Sequence, residues 1–204
     1  MTVRRVPRES TESALNYLRS TYQEHRRAVS SPAPATGRVR TATTSLGYFD
    51  AEAAAQQGCL LRLISVVEAY VDSLSYELLI AASPAPGTLF RRLVDDAVLR
   101  SASTWQERRD AFAALHDVGL GSLPRWSELD AGIEVRNSIA HGLGRLTFKQ
   151  RPKVANLTSK FGQLGVRLSD GRLVISEQAL RRGLDVCLEF VEALDQAVPT
   201  EASK

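Results

Sequence analysis

The stretch AEAAAQQGCLLRLISVVEAYVDSLSYELLIAA, residues 51 to 82, decides the fold class of this 204-residue chain. Its apolar residues recur three and four positions apart, which places them on one face of a helix. They are Leu60, Leu63, Ile64, Val67, Val71, Leu74 and Leu78. A stripe this wide is typical of a buried helix at the centre of a bundle. We therefore predict a long central helix from about Phe49 to Ala82, ended by Ser83 and Pro84.

The same helical spacing recurs on both sides of the central stripe. It predicts further helices over residues 10–29, 87–100, 105–118, 124–141 and 176–198. Ser103 and Gln106 form a predicted capping box before the helix at 105. The predicted architecture is all-α, with four to five main helices in a bundle.

One β-hairpin interrupts this pattern before the last helix. VRLSDGRLVIS, residues 166 to 176, alternates apolar and polar residues around Asp170-Gly171. That dipeptide between alternating residues is a strong hairpin signal. The polar segment from 145 to 164, which contains Pro152, is predicted to be a loop.

The chain divides into three predicted parts. Residues 1–44 hold an N-terminal helix and a Pro/Ala/Ser linker, SSPAPATG at 30 to 37. Residues 45–198 form the helical domain, and residues 199–204 form a tail. The linker lets the N-terminal helix pack on the bundle of its own chain or on a second copy.

Composition indicates an ordinary soluble protein. Hydrophobic residues make up 44% and charged residues 24%. No apolar run approaches the roughly 18 residues that span a bilayer, and no apolar stretch follows the basic start MTVRRVPRES. We expect a cytoplasmic protein without a membrane partner.

The residue types that bind metals are sparse. Cys59 and Cys187 lie within apolar helical patterns, where a free cysteine behaves as a small hydrophobe. The three histidines do not have a metal-binding spacing, and His25 and His116 are interpreted as surface residues. We therefore expect neither a metal nor another cofactor.

Positive charge is concentrated in one segment, although the net charge of the chain is only +3. Residues 136–182 hold ten basic side chains against Asp170 and Glu177, a net charge of +8. Residues 46–135 hold seven basic against thirteen acidic side chains. A basic segment of this kind is typical of a surface that binds polyanions. The alternative is a solvated basic loop.

The basic segment begins at EVRNSIAHGLGRLT, residues 134 to 147. Helical residues four apart differ in direction by about 40°, and residues five apart by about 140°. Asn137 and His141 therefore share a face, with Ser138 beside them, whereas Arg136 points elsewhere. Arg136 meets His141 only if the last turn loosens at Gly142, if its side chain curls round, or if a second copy supplies it.

These three residue types are sufficient for RNA cleavage without a metal. Histidine can exchange protons, arginine can hold a phosphate, and asparagine can position either group. The 2′-hydroxyl of RNA supplies the nucleophile. The alternative interpretation is that Arg136 and Asn137 face solvent and that His141 is a cation favoured at the end of a helix.

RNSIAHG resembles the signature of the HEPN superfamily, which is an arginine, a polar residue that is most often asparagine, a few spacers and a histidine. LLRLISVVEAYVDSL resembles that superfamily's central apolar helix with its embedded acidic residue. The basic segment and hairpin before a closing helix are most similar to the RiboL-PSP-HEPN branch. The likeness covers about residues 45 to 196.

The resemblance implies a HEPN-like bundle that forms a homodimer with its motif helices facing one another across a composite active site. Many members are metal-independent endoribonucleases that leave a cyclic phosphate and a 5′-hydroxyl, in toxin–antitoxin modules or anti-phage defence. By position, Arg136 and His141 become the catalytic pair and Asn137 the polar helper. RNA is then the substrate, and an antitoxin or a defence-system protein is a further partner.

Other residues are predicted to support this site. Glu68 lies inside the apolar stripe and needs a cationic partner, so it is predicted to orient Arg136 or His141. Asp72 shares that task, or both acids lie at the rim of the bundle; Ser138 is a further supporting residue. Predicted RNA-phosphate ligands, from charge and position, are Arg145, Lys149, Arg151 and Lys153. Two other hypotheses remain: a non-catalytic module that binds RNA or a protein, and a helical scaffold unrelated to nucleic acid.

Overall fold

The computed structural model describes residues 6–30, 41–44, 47–82 and 87–199. The helices are α1 (Glu9–Ser30), α2 (Ala51–Ala81), α3 (Thr88–Ser101), α4 (Trp105–His116), α5 (Trp126–Gly142), α6 (Val154–Gly162) and α7 (Glu177–Ala197). The strands are β1 (Thr41–Thr44), β2 (Gly47–Asp50), β3 (Arg167–Ser169) and β4 (Arg172–Val174). The prediction of a mainly all-α fold is confirmed.

The hairpin formed by β3 and β4 was predicted and is present. Leu168 pairs with Leu173, and both turn residues, Asp170 and Gly171, have the positive φ that a two-residue hairpin turn requires. A second antiparallel hairpin, in which β1 pairs with β2, was not predicted. The predicted domain boundary between residues 44 and 45 falls inside it.

The predicted loop from 145 to 164 is wrong. Residues Arg151–Lys153 form a 3₁₀ turn that leads into α6. Leu157 and Phe161, four positions apart, are both buried, which is the spacing of a short amphipathic helix. Pro152 lies at the start of this turn, where its missing N–H costs no hydrogen bond. The remaining linker and tail residues, 31–37 and 200–204, lie outside the described residues.

The helix α4 begins at Trp105, as predicted, but its cap lies one residue later than predicted. Its N-cap is Thr104, whose hydroxyl oxygen accepts a hydrogen bond from the backbone N–H of Glu107 at 3.2 Å. Thr104 thus supplies the N-cap bond that was predicted for Ser103, and the Glu107 carboxylate accepts from the Thr104 hydroxyl at 2.9 Å, which replaces the bond to the N-cap backbone N–H in the predicted capping box.

The chain forms two compact units. The first consists of residues up to Leu15, of Val66–Trp126, and of residues from Leu188 onwards. The second consists of Asn16–Ser65 and Ser127–Cys187. Each unit has its own buried side chains, with Phe112 and Phe190 in the first unit and Leu60 and Phe161 in the second.

In the second unit, α5 lies close against α2 at Gly132. A β-carbon at this position would stand 2.7 Å from Cδ1 of Ile64 and 3.4 Å from Cδ1 of Leu164. Both side chains are almost fully buried, so they have little room to move away. The absence of a side chain at Gly132 thus places the helix that carries RNSIAHG.

Both cysteines are buried free thiols, as predicted. Burial raises the pKa of the Cys59 thiol to about 11 and that of the Cys187 thiol to about 12. Across the described ranges, every helix is too short or too polar to cross a bilayer.

Candidate functional site

The three motif residues lie on the last two turns of α5, which stays helical as far as Gly142. The last turn does not loosen, so a regular helix separates Arg136 from His141 by about 140°. Asn137 and His141 are four positions apart and share a face, as predicted. Nη1 of Arg136 donates to Oδ1 of Asn137 at 3.4 Å, which is long for a hydrogen bond.

His141 is exposed, whereas Arg136 and Asn137 are half-buried. Among the described residues, none makes a hydrogen bond or ion pair with the His141 ring. Its ring nitrogens are therefore open to a ligand.

The chain turns sharply after α5. Leu143 and Gly144 have φ values of 51° and 77°, and the N–H of Gly144 donates to the carbonyl of Ser138 at 3.2 Å. A β-carbon at Gly144 would stand 2.4 to 2.7 Å from side-chain atoms of Gln57. The positive φ favours glycine at 144, whereas the end of the Gln57 side chain could move aside, so backbone conformation places the turn directly after the motif helix.

The side chain of Gln150 forms hydrogen bonds that hold the segment after this turn against α5. Its Oε1 lies 2.9 Å from Oγ of the fully buried Ser138 and accepts from the N–H of Thr147 at 3.0 Å. Its Nε2 donates to the carbonyl and to Oε2 of Glu134, both at 3.1 Å. Ser138, predicted as a supporting residue, thus holds the backbone beyond the helix in place.

Glu134 and Gln150 were missed in the sequence. A signal for part of this arrangement was present, because Thr147 and Gln150 have the spacing of a capping box. The side chain of Gln150 reaches back to the N–H of Thr147 as that motif requires. The contacts with Glu134 and Ser138, 16 and 12 residues away, have no comparable local signal.

We call residues 145–153 the basic turn. The four predicted RNA ligands all lie on it and are exposed, namely Arg145, Lys149, Arg151 and Lys153. The hairpin supports the turn on a second side, since the N–H of Leu146 donates to the carbonyl of Gly171 at 3.3 Å. No Asp or Glu occurs from residue 135 to 169, so the basic turn has no acidic residue nearby in the sequence.

An aromatic ring lies among these cations. The side chain of Phe148 is 83% exposed, and the guanidinium carbon of Arg151 lies 4.3 Å from the centre of its ring. This is a cation–π contact on an open surface. Phe148 was not predicted from the sequence.

The two acidic residues predicted to support the site belong to the first unit. Glu68 accepts a hydrogen bond from Nε1 of Trp105 at 2.9 Å. Asp72 accepts from Nε and Nη2 of Arg108, both at 2.8 Å. Asp72 thus binds a cation through both carboxylate oxygens, and the orienting role of these two acids stays a prediction.

The surface assignment of the other two histidines is wrong. His25 is only 8% exposed, and its Nε2 lies 3.6 Å from Oε2 of Glu177. His116 is half-buried, contacts the edge of Phe112 and shares a 2.9 Å hydrogen bond with Oγ of Ser75. Burial lowers the pKa of His116. Both rings lie on the buried side of an amphipathic helix.

In the part of the chain that the structure describes, no three His, Cys, Asp or Glu side chains are grouped so that they could hold a metal ion. Comparison with models of known families, with curated proteins and with solved structures finds no match. The resemblance to the HEPN superfamily therefore depends on the motif and on the order of the elements around it.

Proposed function

We propose that this chain is a metal-independent endoribonuclease of the HEPN type. The observation that carries the proposal is the position of the RNSIAHG motif, whose exposed His141 lies shortly before a basic turn that contains no acidic residue and is held on α5 by Gln150. The basic turn supplies charge for the RNA backbone, and the adjacent helix end supplies a group that can transfer protons.

The directions of Arg136 and His141 favour a composite site. On a regular helix these side chains diverge by about 140°, which makes it difficult for one copy to place both on the same phosphate. In a symmetric dimer with facing α5 helices, Arg136 of one copy approaches His141 of the other. We therefore propose a homodimer in which each active site draws on both chains.

The chemistry is an internal transesterification. The 2′-hydroxyl oxygen attacks the adjacent phosphorus, the bond to the 5′-oxygen breaks, and a cyclic phosphate and a 5′-hydroxyl result. The 2′-hydroxyl loses its proton and the departing 5′-oxygen gains one; His141 exchanges one of these two protons and water exchanges the other. Arg136 holds the phosphate and stabilises its developing charge, and Asn137 positions the substrate. The nucleophile belongs to the RNA, so no metal is needed to generate it.

A role as a toxin or anti-phage effector is the cellular part of the proposal, and it depends on the family resemblance. Expression of the parent chain should arrest growth and degrade cellular RNA, whereas His141→Ala should do neither. An antitoxin or defence-system protein would then be the partner that restrains it.

The direct test is cleavage of a single-stranded RNA by the purified chain in the presence of EDTA. We expect cleavage by the parent, and a loss of roughly 100- to 10,000-fold for His141→Ala. RNA that is 2′-deoxy at the cleavage site should resist, because it lacks the nucleophile. Arg136→Ala should also be inactive. Its control is Arg92→Ala, at an exposed arginine of α3. Equal cleavage by parent and His141→Ala would show that the proposal is wrong.

Mixing the two inactive variants tests the composite site. A dimer of one Arg136→Ala chain and one His141→Ala chain contains one site with both residues intact if the two copies contribute them. We expect activity to return on mixing, as well as a dimer mass on gel filtration. If mixing the two variants restores no cleavage although the parent chain cleaves RNA, Arg136 and His141 act within one copy.

The second candidate is a non-catalytic module that binds RNA or a protein. The observation in its favour is that Arg136 and His141 diverge and that Arg136 is half-buried. It predicts RNA retention without cleavage, and no effect of His141→Ala on binding. The same assays separate it from the endoribonuclease.

A further inference from the structure

We infer that Phe148 and Arg151 form a stacking site for one base of a single-stranded RNA. Because the ring of Phe148 is 83% exposed, it contributes little to the core, yet it lies in the most basic part of the chain. The inference takes from the proposed function only that RNA is the ligand.

The backbone that presents the ring is fixed. Gln150 lies between Phe148 and Arg151 in the sequence, and its amide binds both Glu134 and Ser138 of α5. A β-carbon at Gly142 would stand 3.5 Å from Cγ2 of Thr147, so the residue before Phe148 lies against the end of α5, next to His141. A preorganised ring loses little conformational freedom when a base stacks on it.

The neighbouring charges select the ligand. Lys149 and Lys153 are exposed on the same turn, which contains no acidic residue, and the nearby carboxylate of Glu134 accepts a hydrogen bond from the amide of Gln150. Arg151 approaches the ring to 4.3 Å, so an aromatic face and a guanidinium plane are presented together. Bases stack on both kinds of plane, while the phosphates that link them are attracted by lysines.

Single-stranded RNA fits this surface better than a duplex. In a duplex the faces of the bases are covered because the bases stack on each other, whereas unpaired bases can turn out onto an aromatic side chain. The site should therefore prefer unpaired RNA and show little sequence preference.

The test is the affinity of the full chain for a short single-stranded RNA that is 2′-O-methylated throughout, so that it cannot be cut. We expect Phe148→Ala to weaken binding roughly 5- to 100-fold without changing the salt dependence, because the ring contacts no phosphate. Arg151→Ala should weaken binding too, and it should in addition reduce the slope of log affinity against log salt concentration by about 0.7. Phe148→Trp should retain binding. Leu89→Ala, at another exposed apolar residue, is the matched control.

A second probe isolates stacking. A ribose-phosphate oligomer that lacks bases should bind the parent and Phe148→Ala equally. If Phe148→Ala binds the complete RNA as the parent does, or weakens both probes alike, the stacking site is wrong even when the chain cuts RNA. If Phe148→Ala instead lowers the mass on gel filtration, the ring is a subunit contact. RNA that binds through Phe148 but is never cut would refute the endoribonuclease and leave the stacking site standing.

Discussion

Two arginine–aromatic pairs of this protein have opposite surroundings. Arg108 lies 5.5 Å from the centre of the Trp105 ring, and both of its bonds to Asp72 are 2.8 Å long. Arg151 lies 4.3 Å from the centre of the Phe148 ring, and it has no ion pair among the described residues. The side chain of Arg108 is 10% exposed, whereas Phe148 is 83% exposed.

The contrast indicates that an arginine beside an aromatic ring can stabilise the fold when it is buried and can bind a ligand when it is exposed. A buried guanidinium without a carboxylate would be very unfavourable, so Asp72 is required for the fold around Arg108. An exposed guanidinium remains hydrated and needs no partner, and it is therefore available to an incoming ligand. Substitutions in the Arg108 region should change stability, and substitutions in the basic turn should change RNA binding.

The largest expected effect is on Asp72. Asp72→Ala leaves Arg108 nearly buried without its carboxylate, and we expect a loss of about 3 kcal/mol in the free energy of unfolding, at the lower end for a buried pair because Asp72 is partly exposed. Urea denaturation measures it, and Asp95→Ala, at an exposed aspartate of α3, is the control.

A double variant that combines Asp72→Ala with Arg108→Met should recover most of this loss, because it no longer contains the unpaired positive charge of Arg108. A loss below about 1 kcal/mol would show that the pair is not important for the fold. Reduced RNA cleavage at a temperature where Asp72→Ala is still folded would support the predicted role of Asp72 in orienting the active site.

An intermediate effect is expected at Gln150, a buried residue that holds the exposed basic turn on α5. Gln150→Leu removes the hydrogen bonds of this buried amide with Ser138, Thr147 and Glu134 and should cost about 2 kcal/mol. It should also weaken RNA binding, because the basic turn is no longer held on α5. Gln163→Leu is the matched control, since the side chain of Gln163 accepts an exposed hydrogen bond from Ser127. Unchanged RNA binding would mean that the basic turn keeps its shape without Gln150.

The smallest expected effect is the titration of His116, on the same helix as Arg108. Because burial lowers its pKa in the folded protein, the unfolded chain takes up the proton first. The free energy of unfolding should therefore fall as the pH drops below the unfolded value of about 6.5. The free energy of unfolding of His116→Gln should fall less over that pH range. Urea denaturation at each pH measures both proteins. Parallel curves for parent and variant would contradict the assignment.

The sequence was informative where periodicity is local. The stripe on α2 and the Asp170-Gly171 turn predicted their elements, because helices and tight hairpins depend on neighbours a few residues away. α6 was missed because only Leu157 and Phe161 mark its buried side. The burial of His25 was missed because its partner, Glu177, is 152 residues away.

The candidate site was predictable in its residues more than in its arrangement. The spacing of Asn137 and His141 showed a shared face, and the helix retains it. Phe148 escaped notice because an exposed aromatic residue has no periodic signal. The attachment of the basic turn depends on Gln150, whose contacts with Glu134 and Ser138 span 16 and 12 residues.

The two buried cysteines have a practical consequence for studying this protein. With their pKa values raised to about 11 and about 12, both thiols stay protonated and shielded near neutral pH, and reagents that attack thiolates should leave them unmodified. A cysteine introduced at the exposed Ala140, next to His141, would then be the single reactive thiol of each chain. A spin label or cross-linker attached there would report directly how far apart two α5 helices lie in solution.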